Sequence, residues 1–509
     1  MDRDLLSIQE ARDLVARAAA AQRAFARADQ ATVDRIVTAM ARAAADASEM
    51  LARLAVDETG MGVVEHKVLK NRFASEFLLD YILPMRTAGL LSVDRATKVR
   101  ELAVPMGVVG AITPTTNPTS TAIYKALIAV KARNAIVISP HPRALRCTRQ
   151  AGQILEQAAV AAGAPPGLVS VMSLPSLEGT NALMRHRDVA VLLATGGSEM
   201  VRAVYTAGKP AYGVGPGNVP AIIERTARIQ KAVRDVVDGK TFDAGVLCSA
   251  ENSVIVDAPV AGEVRAKFLE EGAYFCSARE KALLEQIMIP ASGKGINPEV
   301  VGRQPREIAA LAGFRVPDDT RLLIVELELV GPREPLSREK LCPVLAWYVE
   351  EGWEACCRRA IEVLGYGGMG HSLGIHSRDP EVIERFFWEK PAFRIVVNSN
   401  TAIGAVGYTT GFAPAMTLGP GSWGGSITSD NITPLHLINI KRLGEEIRPY
   451  EDPLRKGRSG RGVVPAAQAT AAVADGWGPA EVLDQRGVSR IVDKFLAELR
   501  RRGDERTTP

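Results

Sequence analysis

Between residues 100 and 230, short β-rich runs alternate with helical ones, and that alternation constrains the fold more than any other feature of the chain. Strands are predicted at 106–112 (MGVVGAI), 135–139 (AIVIS), 168–172 (LVSVM) and 189–194 (VAVLLA), with helices at 119–131 and 145–162. Strands separated by helices imply a parallel sheet with helices on both faces. Such a sheet takes its ligands at the carboxyl ends of its strands. The fold class is therefore α/β.

The rest of the chain divides around this region. Residues 5 to roughly 85 read as helices, with Leu14, Ala18 and Ala21 on one face and Val33, Ile36, Val37 and Met40 on another. A second α/β region spans 241–425, with strand candidates at 253–256, 321–327, 372–375 and 394–398 and a Gly-rich end. Past residue 453 the composition shifts: 454–484 reads as a flexible linker rich in Gly, Ala, Ser and Arg. An amphipathic helix is predicted over 485–503, where Val488, Ile491, Val492, Phe495, Leu496 and Leu499 share a face. At 509 residues the chain exceeds one ordinary core, so two or three domains are expected.

Charge and cysteine usage exclude several function classes. The net charge is +4 and spread along the chain, which gives no support for nucleic-acid binding. The one basic cluster, Arg500 to Arg502, reads as a solvated helix face. No apolar run approaches the ~18 residues of a membrane span. The six cysteines form no CxxC pair and have no histidines at zinc-ligand spacing, so no metal site is expected. With a charged opening, Met1 to Asp4, and no signal-peptide pattern, the expectation is a reduced, cytoplasmic protein.

Three segments carry chemistry. TPTTNPTST at 113–121 follows a strand directly, so Asn117 sits at the carboxyl end of that strand, where its amide either donates to a developing oxyanion or caps the turn. ATGG at 194–197 joins a strand to a helix through small residues, which lets a phosphate approach the helix N-terminus. KTFDAGVLC at 240–248 places Cys248 between polar clusters at a domain junction. A thiolate there can add to an aldehyde carbon and, after hydride loss, hold the product as a thioester. Cys147, Cys276, Cys356 and Cys357 lie in helical, charge-flanked patterns and read as structural.

These segments occur in one order with YGVGPGN (212–218), EKLCPV (339–344), GGMGH (367–371) and LGPGSWGG (418–425). Together they resemble the CoA-acylating aldehyde dehydrogenases, over roughly residues 5–450. The resemblance implies a Rossmann-type cofactor domain over 1–240, carrying part of an oligomerisation arm near 93–104. It further implies a catalytic domain over 241–425 and a return segment over 426–453. It makes Cys248 the nucleophile, Asn117 the oxyanion amide partnered by the Cys248 N–H, and Glu339 the residue that holds the nicotinamide ribose. Gly196 and Gly197 become the pyrophosphate turn, Ser139, Pro140 and His141 the segment beside the adenosine ribose, and Thr113, Thr115, Gly213 and Gly215 further cofactor contacts. His371 matches a histidine that helps deprotonate the incoming thiol, as a neutral imidazole with a pKa of about 6.5 can near neutral pH.

One departure selects the branch. Hydrolytic members carry a glutamate about 35 residues before the nucleophile, where it activates the water that cleaves the thioester. Here that position is Gly213. Without the base, a CoA thiol competes with water, so the expected reaction is reversible oxidation of a small aldehyde to its acyl-CoA with NAD, NADP remaining open. The alternative is hydrolysis to a free acid. Acetaldehyde and propionaldehyde are the default substrates, with sulfoacetaldehyde and succinate semialdehyde open. Expected partners are a second or further copies, as a homodimer or homotetramer, and a microcompartment shell protein. The tail resembles encapsulation peptides, whose short helix docks in a groove of such a shell.

Overall fold

The computed structural model describes residues 2–293, 295–450 and 452. The first 82 residues are helical, as their periodicity predicts: α1 (Arg3–Phe25), α2 (Gln30–Asp46), α3 (Ser48–Thr59), α4 (Val64–Arg72) and α5 (Leu78–Ile82). α1 and α2 begin at Asp2 and Asp29, each of which accepts a first-turn N–H. Their predicted apolar residues are all buried. A hairpin follows, β1 (Gly89–Asp94) with β2 (Val99–Pro105).

The alternating region then builds a five-stranded parallel sheet. Its strands are β3 (Val108–Thr113), β4 (Ala135–Pro140), β5 (Val169–Val171), β6 (Val189–Thr195) and β7 (Ala211–Val214), in the order β5-β4-β3-β6-β7. Helices α6 (Pro118–Lys131), α7 (Leu145–Ala161), α8 (Leu177–Arg185) and α9 (Ser198–Tyr205) connect them. β3 and β4 are buried at every residue, and so is α6. β3 pairs with both β4 and β6, so the strand order reverses beside it. The crevice at that reversal is where open α/β sheets take ligands.

The second sheet is also parallel, with seven strands in the order β10-β11-β12-β9-β8-β13-β14. These are β8 (Val219–Ile223), β9 (Glu251–Asp257), β10 (Ala273–Phe275), β11 (Leu322–Glu326), β12 (Val344–Glu350), β13 (Leu373–His376) and β14 (Ile395–Val397). This corrects the expected boundary at 240. β8 pairs with β9 and β13, and α10 (Ile229–Thr241) packs its buried Val233, Val236 and Val237 in the core of the second sheet. The change of sheet therefore falls in the short turn between Val214 and Val219, and not after α10.

The chain finally returns as β15 (Ile438–Gly444), which pairs antiparallel with β2. The expected arm near 93–104 is thus two strands of a three-stranded sheet whose third strand lies more than 330 residues away in sequence. Leu90, Val93, Leu102, Ile440 and Leu443 on it are exposed. Among the described residues no helix is long and apolar enough to cross a membrane, and no cluster of three or more His, Cys, Asp or Glu could hold a metal ion. The predicted linker at 454–484, the helix at 485–503 and the Arg500 to Arg502 cluster lie outside the described residues.

Candidate active site

A cavity of about 550 Å³ opens at the carboxyl ends of β3, β4 and β6. The end of β3 and the turn after it supply Thr113, Thr115 and Asn117. β4 and its turn supply Ser139, Pro140 and His141, and the turn after β6 supplies Gly196 and Gly197. Gly215, Cys248 and Glu339 complete the wall. Segments separated by more than 200 residues therefore meet in one cleft.

The cysteine is presented by a constrained turn. Asp243, Ala244 and Gly245 all adopt positive φ, at 51°, 53° and 73°, a region costly for residues with a Cβ. A Cβ at Gly245 would stand 2.9 Å from both the Cys342 carbonyl carbon and the Lys240 carbonyl oxygen, so only glycine fits there. Among the described cysteines, Cys248 alone is not fully buried. Burial first, and then the nearby Glu339 carboxylate, push its thiol up to about 12, while Arg394 pulls it down. The resting group is a thiol. Glu339 is itself raised to about 6 by burial, and its Oε1 accepts the Gly217 N–H at 2.7 Å. Gly217 also abuts the nucleophile: a Cβ there would lie 1.8 Å from the Cys248 carbonyl oxygen.

Asn117 is the N-cap of α6 by position, yet its side chain makes no capping bond. Its Oδ1 instead accepts from Lys70 Nζ at 2.5 Å. Its Nδ2 donates to Thr116 Oγ1 at 3.1 Å and lies 3.5 Å from the Val246 carbonyl oxygen, two residues before Cys248. The donor end of the amide thus faces the cysteine turn, the orientation an oxyanion hole requires.

The cofactor end is an open cradle. Gly197 is the N-cap of α9 and has nothing within 4 Å of where a Cβ would stand. Gly215 is equally open. The buried hydroxyls of Thr113 and Thr195, both on the cavity wall, have no protein partner. Free donors beside a helix N-terminus suit a phosphate-bearing ligand. Ser139 Oγ pairs with Thr180 Oγ1 at 2.8 Å, and His141 Nδ1 accepts the Arg143 N–H at 3.1 Å.

Two predicted residues do not line this cavity. Gly213 lies within β7 opposite Ala194, and its N–H and carbonyl both bond the Tyr205 hydroxyl, at 3.1 and 3.0 Å. A Cβ at Gly213 would point at Tyr205, 3.0 Å from its hydroxyl oxygen. His371 is fully buried beyond Gly217, with Nδ1 3.0 Å from Ser372 Oγ and Nε2 unpartnered. Burial and Arg394 push its pKa down to about 3. Its burial therefore favours the neutral imidazole, the form the sequence reading expects, and shifts its titration away from neutrality.

Residues 5–275 match the model of the aldehyde dehydrogenase family. The chain belongs to that family. Over 444 residues it is 43% identical to the bifunctional aldehyde-alcohol dehydrogenase of Escherichia coli, covering 86% of this chain and 50% of that protein. It spans about half the length of several such curated relatives. An acetylating aldehyde dehydrogenase from Geobacillus thermoglucosidasius superposes with a TM-score of 0.87 at 46% identity, covering 89% of this chain and 99% of that one. A Rhodopseudomonas palustris propionaldehyde dehydrogenase, solved with bound CoA and an acylated cysteine, gives 0.76 at 29% identity over 86% of this chain and 97% of that one.

In this chain, sequence reasoning missed a buried polar layer behind the site. Lys67 Nζ donates to the Thr116 carbonyl at 3.1 Å and to Asp243 Oδ2 at 3.0 Å, and Lys70 also pairs with Asp243. Asp243 stood inside a quoted motif. The lysines, spaced i, i+3 in VEHKVLKNR, carried only the signal of a solvated helix face.

Proposed function

We propose that this dehydrogenase oxidises a small apolar aldehyde to its acyl-CoA, reversibly, through a thioester on Cys248. The observation that carries the reading is Gly213. No carboxylate stands at that position, whose backbone N–H and carbonyl are both bonded by the Tyr205 hydroxyl, and among the described residues Glu339 is the one carboxylate on the cavity wall.

Cys248 gives up its proton to solvent in the open cavity, and Sγ adds to the aldehyde carbon. The resulting oxyanion is met by Asn117 Nδ2 and the Cys248 N–H. Collapse of this adduct expels hydride and leaves the acyl group on Sγ. A bound nicotinamide cofactor supplies the hydride acceptor. Thr113, Thr195, Gly196 and Gly197 would hold its phosphates and Glu339 its ribose. CoA thiolate then attacks the acyl carbon, and Cys248 Sγ departs. CoA and the cofactor use the same cavity in turn, which requires the reduced cofactor to leave first.

The wall near Cys248 favours an apolar substrate. Met61, Val246 and Val301 form a buried cluster with Ile296 and Leu341 against it, and all five line the cavity. Glu339 is the one carboxylate on the wall among the described residues, and Arg143 stands at the adenosine end. A 2′-phosphate therefore meets no carboxylate there, which supports use of NADP alongside NAD. The exposed apolar residues of the three-stranded sheet support assembly into a homodimer or homotetramer. The tail beyond residue 453 supports delivery to a microcompartment shell, tested by deleting 457–509 and following compartment association against solution activity.

The test of the chemistry is intact-protein mass after mixing with aldehyde and cofactor but no CoA. An acyl adduct on Cys248 that persists in water and is discharged by CoA supports the reading. An adduct lost equally fast without CoA overturns it.

A further inference from the structure

The oxyanion hole has two halves on two separate turns, the Asn117 amide after β3 and the Cys248 N–H after α10. Something must set the distance between them. α4 lies behind both. Lys67 and Lys70, i and i+3, project from one face of it, and each makes the same pair of contacts. Lys67 Nζ spans the Thr116 carbonyl and Asp243, and Lys70 Nζ spans Asn117 Oδ1 and Asp243. All three side chains are buried, at 2%, 4% and 0% exposure for Lys67, Lys70 and Asp243. Asp243 is fixed in turn by the Val63 N–H, which it accepts at 2.7 Å, and by His66 Nδ1, which accepts the Asp243 N–H at 2.8 Å.

The geometry points to Lys70, assisted by Lys67, as a positioning residue that clamps the Asn117 turn to the Cys248 turn and fixes which end of the Asn117 amide faces the substrate. This rests on the thioester reading above. An ammonium has only donors to offer, so the amide oxygen must turn to Lys70 and the amide N–H₂ must turn away, toward the cysteine. A flipped amide would place N–H₂ against a buried ammonium and an acceptor against the oxyanion.

Neutralising Asp243 does not by itself explain the arrangement. One carboxylate balances one ammonium, and two are buried here. Lys70 is buried, and that burial pushes it down to about 7. The Lys70 head group lies directly behind the Asn117 amide, and in its protonated form it polarises that amide toward the side on which negative charge builds during addition.

The test is a double-mutant cycle of Lys70→Met and Asn117→Ala in the full chain. It is read on the single-turnover burst of reduced cofactor with acetaldehyde. That step precedes CoA, and the CoA dependence of the parent enzyme, measured in parallel, reports separately on the proposed reaction. Lys70→Met is expected to slow the burst by about 10- to 100-fold, the scale of a misplaced oxyanion donor, with aldehyde KM changed less than about threefold. Alkylation of Cys248 by iodoacetamide, a displacement that forms no oxyanion, should change less than about threefold as well. In the Asn117→Ala background the lysine substitution should cost nothing further. Burst and alkylation falling by the same factor would mean that Lys70 only holds the cysteine turn and would overturn the proposal, as would additive losses in the cycle. If Lys70→Met fails to fold, Lys70→Gln combined with Asp243→Asn retains a donor to Asn117 and removes both charges. A burst within about tenfold of the parent supports positioning by donation, and a burst no faster than Asn117→Ala overturns it.

Discussion

Installing the missing glutamate at Gly213 is the most informative single substitution. Its Cβ would stand 3.0 Å from the ring carbon and the hydroxyl oxygen of Tyr205 and 3.1 Å from Val201 Cγ1. All three approaches are tighter than ordinary contact. Forcing extra atoms into such a site costs about 1–3 kcal/mol. Relief by moving Tyr205 breaks its two hydrogen bonds to the Gly213 backbone, each worth about 1 kcal/mol. Gly213→Glu should therefore lose about 2–4 kcal/mol, a large share of the roughly 5–15 kcal/mol that holds a domain together. Because the side chain starts toward Tyr205 rather than the cavity, it should create no hydrolytic activity. The assay pairs thermal melting with CoA-independent formation of reduced cofactor. Gly215→Ala is the control, since nothing lies within 4 Å of its Cβ position, and it should melt like the parent. An unchanged melting temperature for Gly213→Glu, together with CoA-independent turnover matching the CoA-dependent rate of the parent, would refute the reasoning.

Four further outcomes are expected. Cys248→Ala should abolish formation of reduced cofactor and the acyl adduct while melting within a few degrees of the parent, because the side chain is only half-buried. Glu339→Gln removes a charge that raises the Cys248 thiol, so iodoacetamide should alkylate the free enzyme several-fold faster at fixed pH by stabilising the thiolate. Burial raises the Glu339 carboxyl to about 6, whereas it pushes His371 down to about 3. An inflection in the kcat/KM profile at about pH 6 should therefore vanish in Glu339→Gln and survive in His371→Ala. Asp243→Ala strands two buried ammonium groups and should cost about 3–5 kcal/mol by chemical denaturation. The Asp243 carboxyl is held below its ordinary value, so its contribution to stability is present above the unfolded pKa of about 3.9 and is lost as pH falls through the lower folded value.

Much of the site was legible because parallel strands write themselves as apolar runs. β3, β4 and β6 fall within a residue or two of their predicted positions, and ligand residues cluster at their ends by topology. β7 is four residues long with a glycine in it, too little pattern to register as a strand. β8 has the apolar character of a buried strand, but nothing in VPAII says which sheet it joins. That choice is made by long-range pairing, and it shifted the domain boundary. The lysine clamp was invisible for the same reason. Lys67 and Lys70 meet Asn117 and Asp243 across sequence separations of 47 to 176, and locally they differ in no way from surface lysines. The motif around His371 gives no sign of its complete burial, which is what moves its pKa away from the ordinary value.

The central claim is that the thioester on Cys248 waits for CoA because no residue sends water at it. Steady-state absorbance at the nicotinamide band, with acetaldehyde or propionaldehyde and with or without CoA, tests this most directly when the product is identified. The expected result without CoA is a burst of one reduced cofactor per site followed by a negligible rate, and with CoA sustained turnover yielding acyl-CoA. Sustained turnover of equal rate without CoA, yielding the free acid, would contradict it.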